Sequence, residues 1–354
     1  MTIIDRATLL AKLDIAAPAL ASVGSIPTLQ NFLFTGDKLV AYNDRIGIAV
    51  ALPTDFTGAV QGSLLHKVVA TLTHAEQIEL TGDQHLQIGA VGHKTAATNP
   101  VLPRAAFEQQ FKMPCAPRSG YAPDPAFFAA IDNCLQSVSV YATIAERLGV
   151  TFVPDNGRLL LYATDGGTIS HARLPGHPEF KQRCTLPLEF CEQMLKLKDA
   201  HTKLLTLGRD HALFAADDTL LFGRLLAVEQ PLDYARVVGR FLPNAFPDGI
   251  PKPTANERAR IKVAFELAAL MTDGKADERT DISISGGKLK LTSTNTTRGQ
   301  TSDVLWYKAH PDTHCGAVME RVVKGFDRYE SLLIRNDVVL LSSGENVYLV
   351  AAMR

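Results

Sequence analysis

Cysteine is scarce and scattered. Cys115, Cys134, Cys184, Cys191 and Cys315 are the five in 354 residues. No two form a CxxC pair, and none joins histidines at zinc-finger spacing, which argues against a disulfide framework and a zinc module. Such usage fits small core hydrophobes in a reducing, cytoplasmic compartment. An excess of one charge is missing too: 36 Lys plus Arg stand against 37 Asp plus Glu, for a net charge of −1. Any contact with nucleic acid must then come from a local patch. No apolar run approaches the ~20 residues of a membrane span. Asp5, Lys12 and Asp14 interrupt the opening MTIIDRATLLAKLDIAAPAL, so no leader is expected there. Walker A, Rossmann and GxSxG patterns are all lacking. His171 and His177 lie across a proline and a glycine, unlike a helical metal pair. No catalytic residue, cofactor or metal is therefore expected.

What the chain does have is repetition. VTFVPDNGRLLLYATDGGTISHARL (150–174) reads as a hairpin: strand, Asp-Asn-Gly turn, strand. NFLFTGDKLVAYNDRIGIAVAL (31–52) has the same layout, and DISISGGKLKLTSTNTTRGQTSDVL (281–305) has it again. In each, the strand after the turn ends in a polar cluster: Tyr42-Asn43-Asp44, Ala163-Thr164-Asp165, Ser293-Thr294-Asn295. Helical apolar spacing marks 62–72, 187–197 and 315–326, each followed by short strands. A further helix precedes each hairpin, at 7–17, 125–135 and 259–271. Three units of about 118 residues are normal domains in size. Proline and glycine collect near the expected boundaries, which divide the chain into 1–117, 118–244 and 245–354.

Asp165 sits among glycines in LYATDGGTIS, where an aspartate could serve as base or metal ligand. The repeat gives a simpler account, because the same place holds Asp44 and Asn295. Asp and Asn bond their own backbone at such turns.

Three such units in succession resemble the DNA polymerase III beta subunit, the bacterial-type DNA sliding clamp, in a phage or otherwise divergent form. SIPTLQNFLF (25–34), YATDGGTISHARLP (162–175), FGRLLAVEQPLDYARVV (222–238) and VYLVAAMR (347–354) carry the likeness. The resemblance implies an α+β fold of three repeated clamp domains, each with antiparallel sheets outside and two helices lining the inner face. It implies a homodimer closed head to tail into a ring around duplex DNA. Such a ring is a processivity factor in DNA replication. It has no catalytic residues and tethers the replicative DNA polymerase and the clamp loader through short linear motifs. The alternative is a non-ring, three-domain interaction scaffold of the same fold.

The resemblance also implies sites. A peptide-motif pocket would draw on Leu148, Thr164, Gly166, Gly167, Thr168, Pro231, Arg236, Val237, Val350, Met353 and Arg354. The sequence departs from the family at Gly167-Thr168, where histidine-arginine is usual, and at Ala351-Ala352, where a proline is usual. DNA-facing positions would be His66, Lys67, Arg258, Lys262, Arg321 and Lys324. His66 and Lys67 lie opposite an apolar stripe of Leu64, Val68 and Leu72, although charged outer faces are what any amphipathic helix shows. The dimer contact would use Leu270 and Met271 against the strand KTAATN, Lys94 to Asn99.

Overall fold

The computed structural model describes residues 1–22, 26–92, 96–239, 250–272, 279–295, 299–307, 310–344 and 346–351. They form an α+β fold of antiparallel sheets and helices: α1 (Arg6–Ala16), α2 (Gly62–Thr71), α3 (Arg104–Glu108), α4 (Pro125–Cys134), α5 (Leu188–Lys196), α6 (Tyr234–Gly239), α7 (Ala255–Met271) and α8 (Met319–Phe326).

The chain packs as two compact units, Met1–Pro125 with Leu186–Leu225, and Ala126–Thr185 with Leu226–Arg354. In the first unit one sheet runs, in spatial order, through Thr2–Asp5, Gln77–Thr81, His85–Ala90, Ala96–Leu102, Thr57–Gln61, Asn31–Thr35, Lys38–Tyr42, Ile46–Ala51, Thr219–Arg224, His211–Ala216 and Lys203–Leu207. Strands far apart in sequence join at Ile46–Ala51, where Val50 faces Thr219 and Ile46 faces Gly223.

The second unit holds two sheets. One contains Gly149–Asp155, Arg158–Thr164, Thr168–Pro175, Asn346–Ala351, Val338–Ser343 and Ser331–Arg335 in that order. The other is Gly299–Trp306, Lys288–Asn295, Thr280–Ser285 and Thr313–Ala317. Residues 240–249, around the expected boundary at 244, lie outside the described residues.

Local chemistry explains the hairpins. Asn156 and Gly157 take φ of 48° and 78°, the left-handed pair a two-residue turn demands. The turn of the third repeat is built from Gly286 and Gly287, at 56° and 73°. Helix α7 begins with a capping box: Thr254 Oγ1 accepts the Glu257 N–H, and the Glu257 carboxylate accepts the Thr254 N–H. Its buried face, Ile261, Ala264, Phe265 and Ala268, packs with Ile282, Leu289, Met319, Val322 and Phe326 in the core.

The structure corrects two expectations. The helical spacing over 315–326 holds only from Met319 onward. Cys315, Gly316 and Ala317 instead extend a strand, paired with Ile282, Asp281 and Thr280. Sheet pairing along Thr280–Ser285 outcompetes local helical preference there. On α2 the buried stripe is Gly62, Leu65 and Val69, whereas Leu64 is exposed. The cysteines are free, four buried and Cys115 exposed. Among the described residues no helix is long and apolar enough to cross a membrane.

Candidate functional site

The turn after Ala163 is held by side chains of its own residues. Asp165 Oδ1 accepts the N–H of Gly167 at 2.8 Å, the N–H of Thr168 at 2.6 Å and the Thr168 hydroxyl at 3.0 Å. The Thr164 hydroxyl donates to the Thr168 carbonyl at 2.7 Å and accepts the Gly166 N–H at 3.1 Å. Gly166 takes φ of 93°, a conformation costly for residues with a Cβ. With three donors on one oxygen, the Asp165 carboxylate is a structural acceptor. The turn also anchors the last strand: the Gly167 carbonyl accepts the Ala351 N–H at 2.9 Å, just beyond the pairing of Thr168 with Val350.

Beside this turn lies a hollow of about 280 Å³. That is a little under the ~300 Å³ at which drug-sized sites begin, so it suits one or two bulky side chains better than a cofactor. Ile144, Ile169, Leu232, Val237, Val338, Leu349 and Ala351 give it apolar walls. Thr164, Gly166, Gly167 and Thr168 form one rim, and Glu146, Arg147 and Gln230 complete the lining.

A buried polar network fixes these walls. Glu146 is 4% exposed and accepts from the Tyr162 hydroxyl, from Arg183 Nη2 and, at 2.8 Å, from the Leu232 N–H. It thus ties the 145–148 turn to strand Arg158–Thr164 and to the loop before α6. The Tyr162 and Tyr234 rings stack at 5.0 Å, and the Tyr234 hydroxyl bonds His171 Nδ1. Burial pushes His171 down to about 3, so its ring stays neutral and can accept that hydroxyl. Burial pushes the Tyr162 and Tyr234 phenols upward.

Of the pocket residues expected from the sequence, the structure brings Thr164, Gly166, Gly167, Thr168 and Val237 together around the hollow. Leu148, Pro231, Arg236 and Val350 do not line it. Val350 is fully buried on the opposite face of its strand, in the cluster with Phe265 and Tyr348. The two-residue period of that strand places Leu349 and Ala351 on the hollow instead. Pro231 and Arg236 are exposed beside it, and Leu148 is half-buried one residue past Arg147. Met353 and Arg354 lie outside the described residues. Ile144, Glu146, Arg147, Gln230, Leu232 and Val338 were not marked by any motif.

Among the described residues, the basic side chains named from the helices each meet a neighbour, Lys67 excepted. Arg258 lies 4.7 Å from the centre of the Phe326 ring and donates to the Phe326 carbonyl. Lys262 pairs with Asp327 at 2.5 Å and approaches Glu266 at 3.8 Å. Lys324 donates to the Gln136 carbonyl at 2.6 Å. Arg321 reaches 3.9 Å from Asp165, and a Cβ on Gly167 would collide with its guanidinium. In the other unit His66 pairs with Asp14 at 2.6 Å, and Lys67 is exposed.

Helix α7 carries an unusual outer face. Val263, Leu267 and Leu270 are 54%, 43% and 61% exposed, and their spacing places them on one stripe. Met271 is half-buried. Val304, on the edge strand Gly299–Trp306, is 52% exposed. In the first unit, Ala97 to Asn99 pair with Ile88 to Leu86, while Lys94 and Thr95 lie outside the described residues.

Solved structures settle the architecture. A Thermotoga maritima DNA polymerase III beta subunit matches with a TM-score of 0.80 over 99% of this chain and 98% of that one, at 16% identity. This chain has the sliding-clamp fold. A Pseudomonas aeruginosa DNA polymerase III subunit beta bound to griselimycin shares the clamp fold at a TM-score of 0.80 and 18% identity, covering 99% and 98%. Caulobacter crescentus pol III beta shares it at 0.78 and 19%, covering 99% of both chains. No protein-family model matches the sequence, and no curated protein matches it either.

Proposed function

We propose that this chain is a DNA sliding clamp. It acts as a non-enzymatic processivity factor for DNA replication, and two copies close head to tail around duplex DNA. The observation that carries the reading is the clamp fold extending over 99% of the chain rather than over one part of it. The three repeated units then correspond to clamp domains 1–117, 118–244 and 245–354. A ring holds DNA by topology, so weak phosphate contacts that permit sliding are enough. The locally engaged cations of α7 and α8 are compatible with that modest demand.

The exposed stripe of Val263, Leu267 and Leu270 supports the dimer, since contiguous apolar surface of this kind favours burial against a partner. The edge strand Gly299–Trp306 is the neighbouring sheet edge, and Ala96–Asn99 of a second copy is the facing strand in this reading. The hollow beside Thr164–Thr168 is the docking place for a short motif of a polymerase or loader. Burying one Leu or Phe there is worth roughly 1.5–3 kcal/mol, so two anchors can offset ordering costs and reach micromolar affinity.

The test is topological. Protein loaded onto nicked circular DNA should stay bound through gel filtration and be released when the circle is cut once. Equal retention before and after cutting contradicts encirclement and favours a scaffold of the same fold that does not enclose DNA.

A further inference from the structure

We propose that the first unit holds a second hollow of the same construction, kept shut by the chain's own Phe111. Calling that hollow a binding site rests on the docking reading above; its place comes from the repeat. Asn43 Oδ1 accepts the N–H groups of Arg45 at 3.1 Å and Ile46 at 2.9 Å, as Asp165 Oδ1 accepts those of Gly167 and Thr168. Asn43, one residue before the position expected from the sequence, is therefore the counterpart of Asp165. Asp44 then stands where Gly166 does, and both have positive φ, 78° and 93°. Past the turn, the Arg45 carbonyl accepts the Arg224 N–H at 2.9 Å, the bond that Gly167 and Ala351 make in the second unit. Ile46 faces Gly223 as Thr168 faces Val350.

This register maps one hollow onto the other. Thr164, Ile169 and Leu349, which line the open hollow, correspond to Tyr42, Gly47 and Phe222. Phe111 packs against all three. Its ring stacks on Tyr42 with centres 3.8 Å apart and lies 5.1 Å from the Phe222 ring. A Cβ on Gly47 would come within 2.9 Å of the ring's tip. Gly47 thus leaves free the space that Ile169 takes in the other unit, and the Phe111 ring fills it. Helix α3 ends at Glu108, and from Phe111 to Pro117 no helix or strand carries the chain. Phe111 is half-buried, whereas Phe107 before it is fully buried. The ring can therefore leave its place without dismantling a helix or a strand. A plug on so short a tether acts at roughly millimolar effective concentration, which keeps out free peptides offering the same ring. The chain thereby presents one open hollow of the two that its repeats build.

The probe is an end-blocked peptide of the plug's own sequence, Gln109 to Pro114, counted on the full chain by equilibrium dialysis. Phe111→Ala should take up one more peptide per chain than the native protein. The same peptide with alanine in place of its phenylalanine should lose that extra binding. Phe111→Trp keeps a ring in the hollow and should stay at the native count. Phe111→Leu, a milder change, carries the test if the alanine variant does not fold, and should show the extra site at lower affinity. An unchanged count in the folded variants overturns the plug, and so does an extra site that binds the alanine peptide equally well. The native count reports on the hollow beside Thr164–Thr168 and the increment reports on Phe111, so the docking reading and the plug can each fail without the other.

Discussion

Asp165 holds Thr168 twice, accepting its backbone N–H at 2.6 Å and its hydroxyl at 3.0 Å. The carboxylate closes a turn and is not poised for chemistry. Asp165→Asn retains an acceptor oxygen, so most of the turn's bonds persist. Peptide affinity should stay within about fivefold, the worth of one such bond at about 1 kcal/mol net. Asp165→Ala removes every acceptor and should weaken peptide binding more than Asn does. Calorimetric titration of both variants checks this order.

The network beneath the hollow is the costlier one to break. Arg183→Ala would leave Glu146, 4% exposed, without its cationic partner. Stranding a buried charge in this way costs about 3 kcal/mol or more. The double variant Arg183→Ala with Glu146→Gln should recover part of that loss. Denaturant unfolding of the two variants measures the difference.

His171 predicts an acid limit to stability. Its folded value is pushed down to about 3, while the unfolded ring titrates near 6.5. Between those values the unfolded state binds the extra proton, so stability rises with pH through the window and is lost as pH falls. One such group changes stability by up to about 1.4 kcal/mol per pH unit. Melting temperatures should therefore decline from about pH 6.5 toward about pH 4, and His171→Gln should flatten that decline. His310, also pushed down by burial, adds to it in the same direction.

Much of the fold was legible because its signals are local. Asn156-Gly157 and Gly286-Gly287 announce hairpins by themselves, and their repetition pointed to the architecture. Cys315–Ala317 misled because its strand exists only through pairing with Thr280–Ile282, a contact that local spacing does not encode. The hollow was half legible. The Thr164–Thr168 rim follows from one turn, but Ile144, Leu232 and Val338 arrive from distant segments. Position along the chain points to Val350, but the two-residue strand period turns Val350 to the core and Leu349 and Ala351 to the hollow.

The cations of the helices give a graded prediction. Replacing Lys67, Lys262 and Lys324 with Glu should lower retention on circular DNA, most visibly at low salt, and reduce the salt slope by about 2 to 3. Arg258→Glu is less diagnostic, since it also removes packing on Phe326. Retention measured across a salt series distinguishes the two effects.

The outer stripe of α7 bears most directly on the ring. Leu270 is 61% exposed in the single chain, and in a closed dimer it would be covered. Leu270→Glu would place a charge in that contact without a partner and should shift dimer toward monomer. The decisive measurement is molar mass by light scattering at micromolar concentration. The account predicts about twice the 38.4 kDa chain mass for the native protein and a fall toward the single-chain value for Leu270→Glu. A native protein that stays at 38.4 kDa throughout this range would contradict the ring.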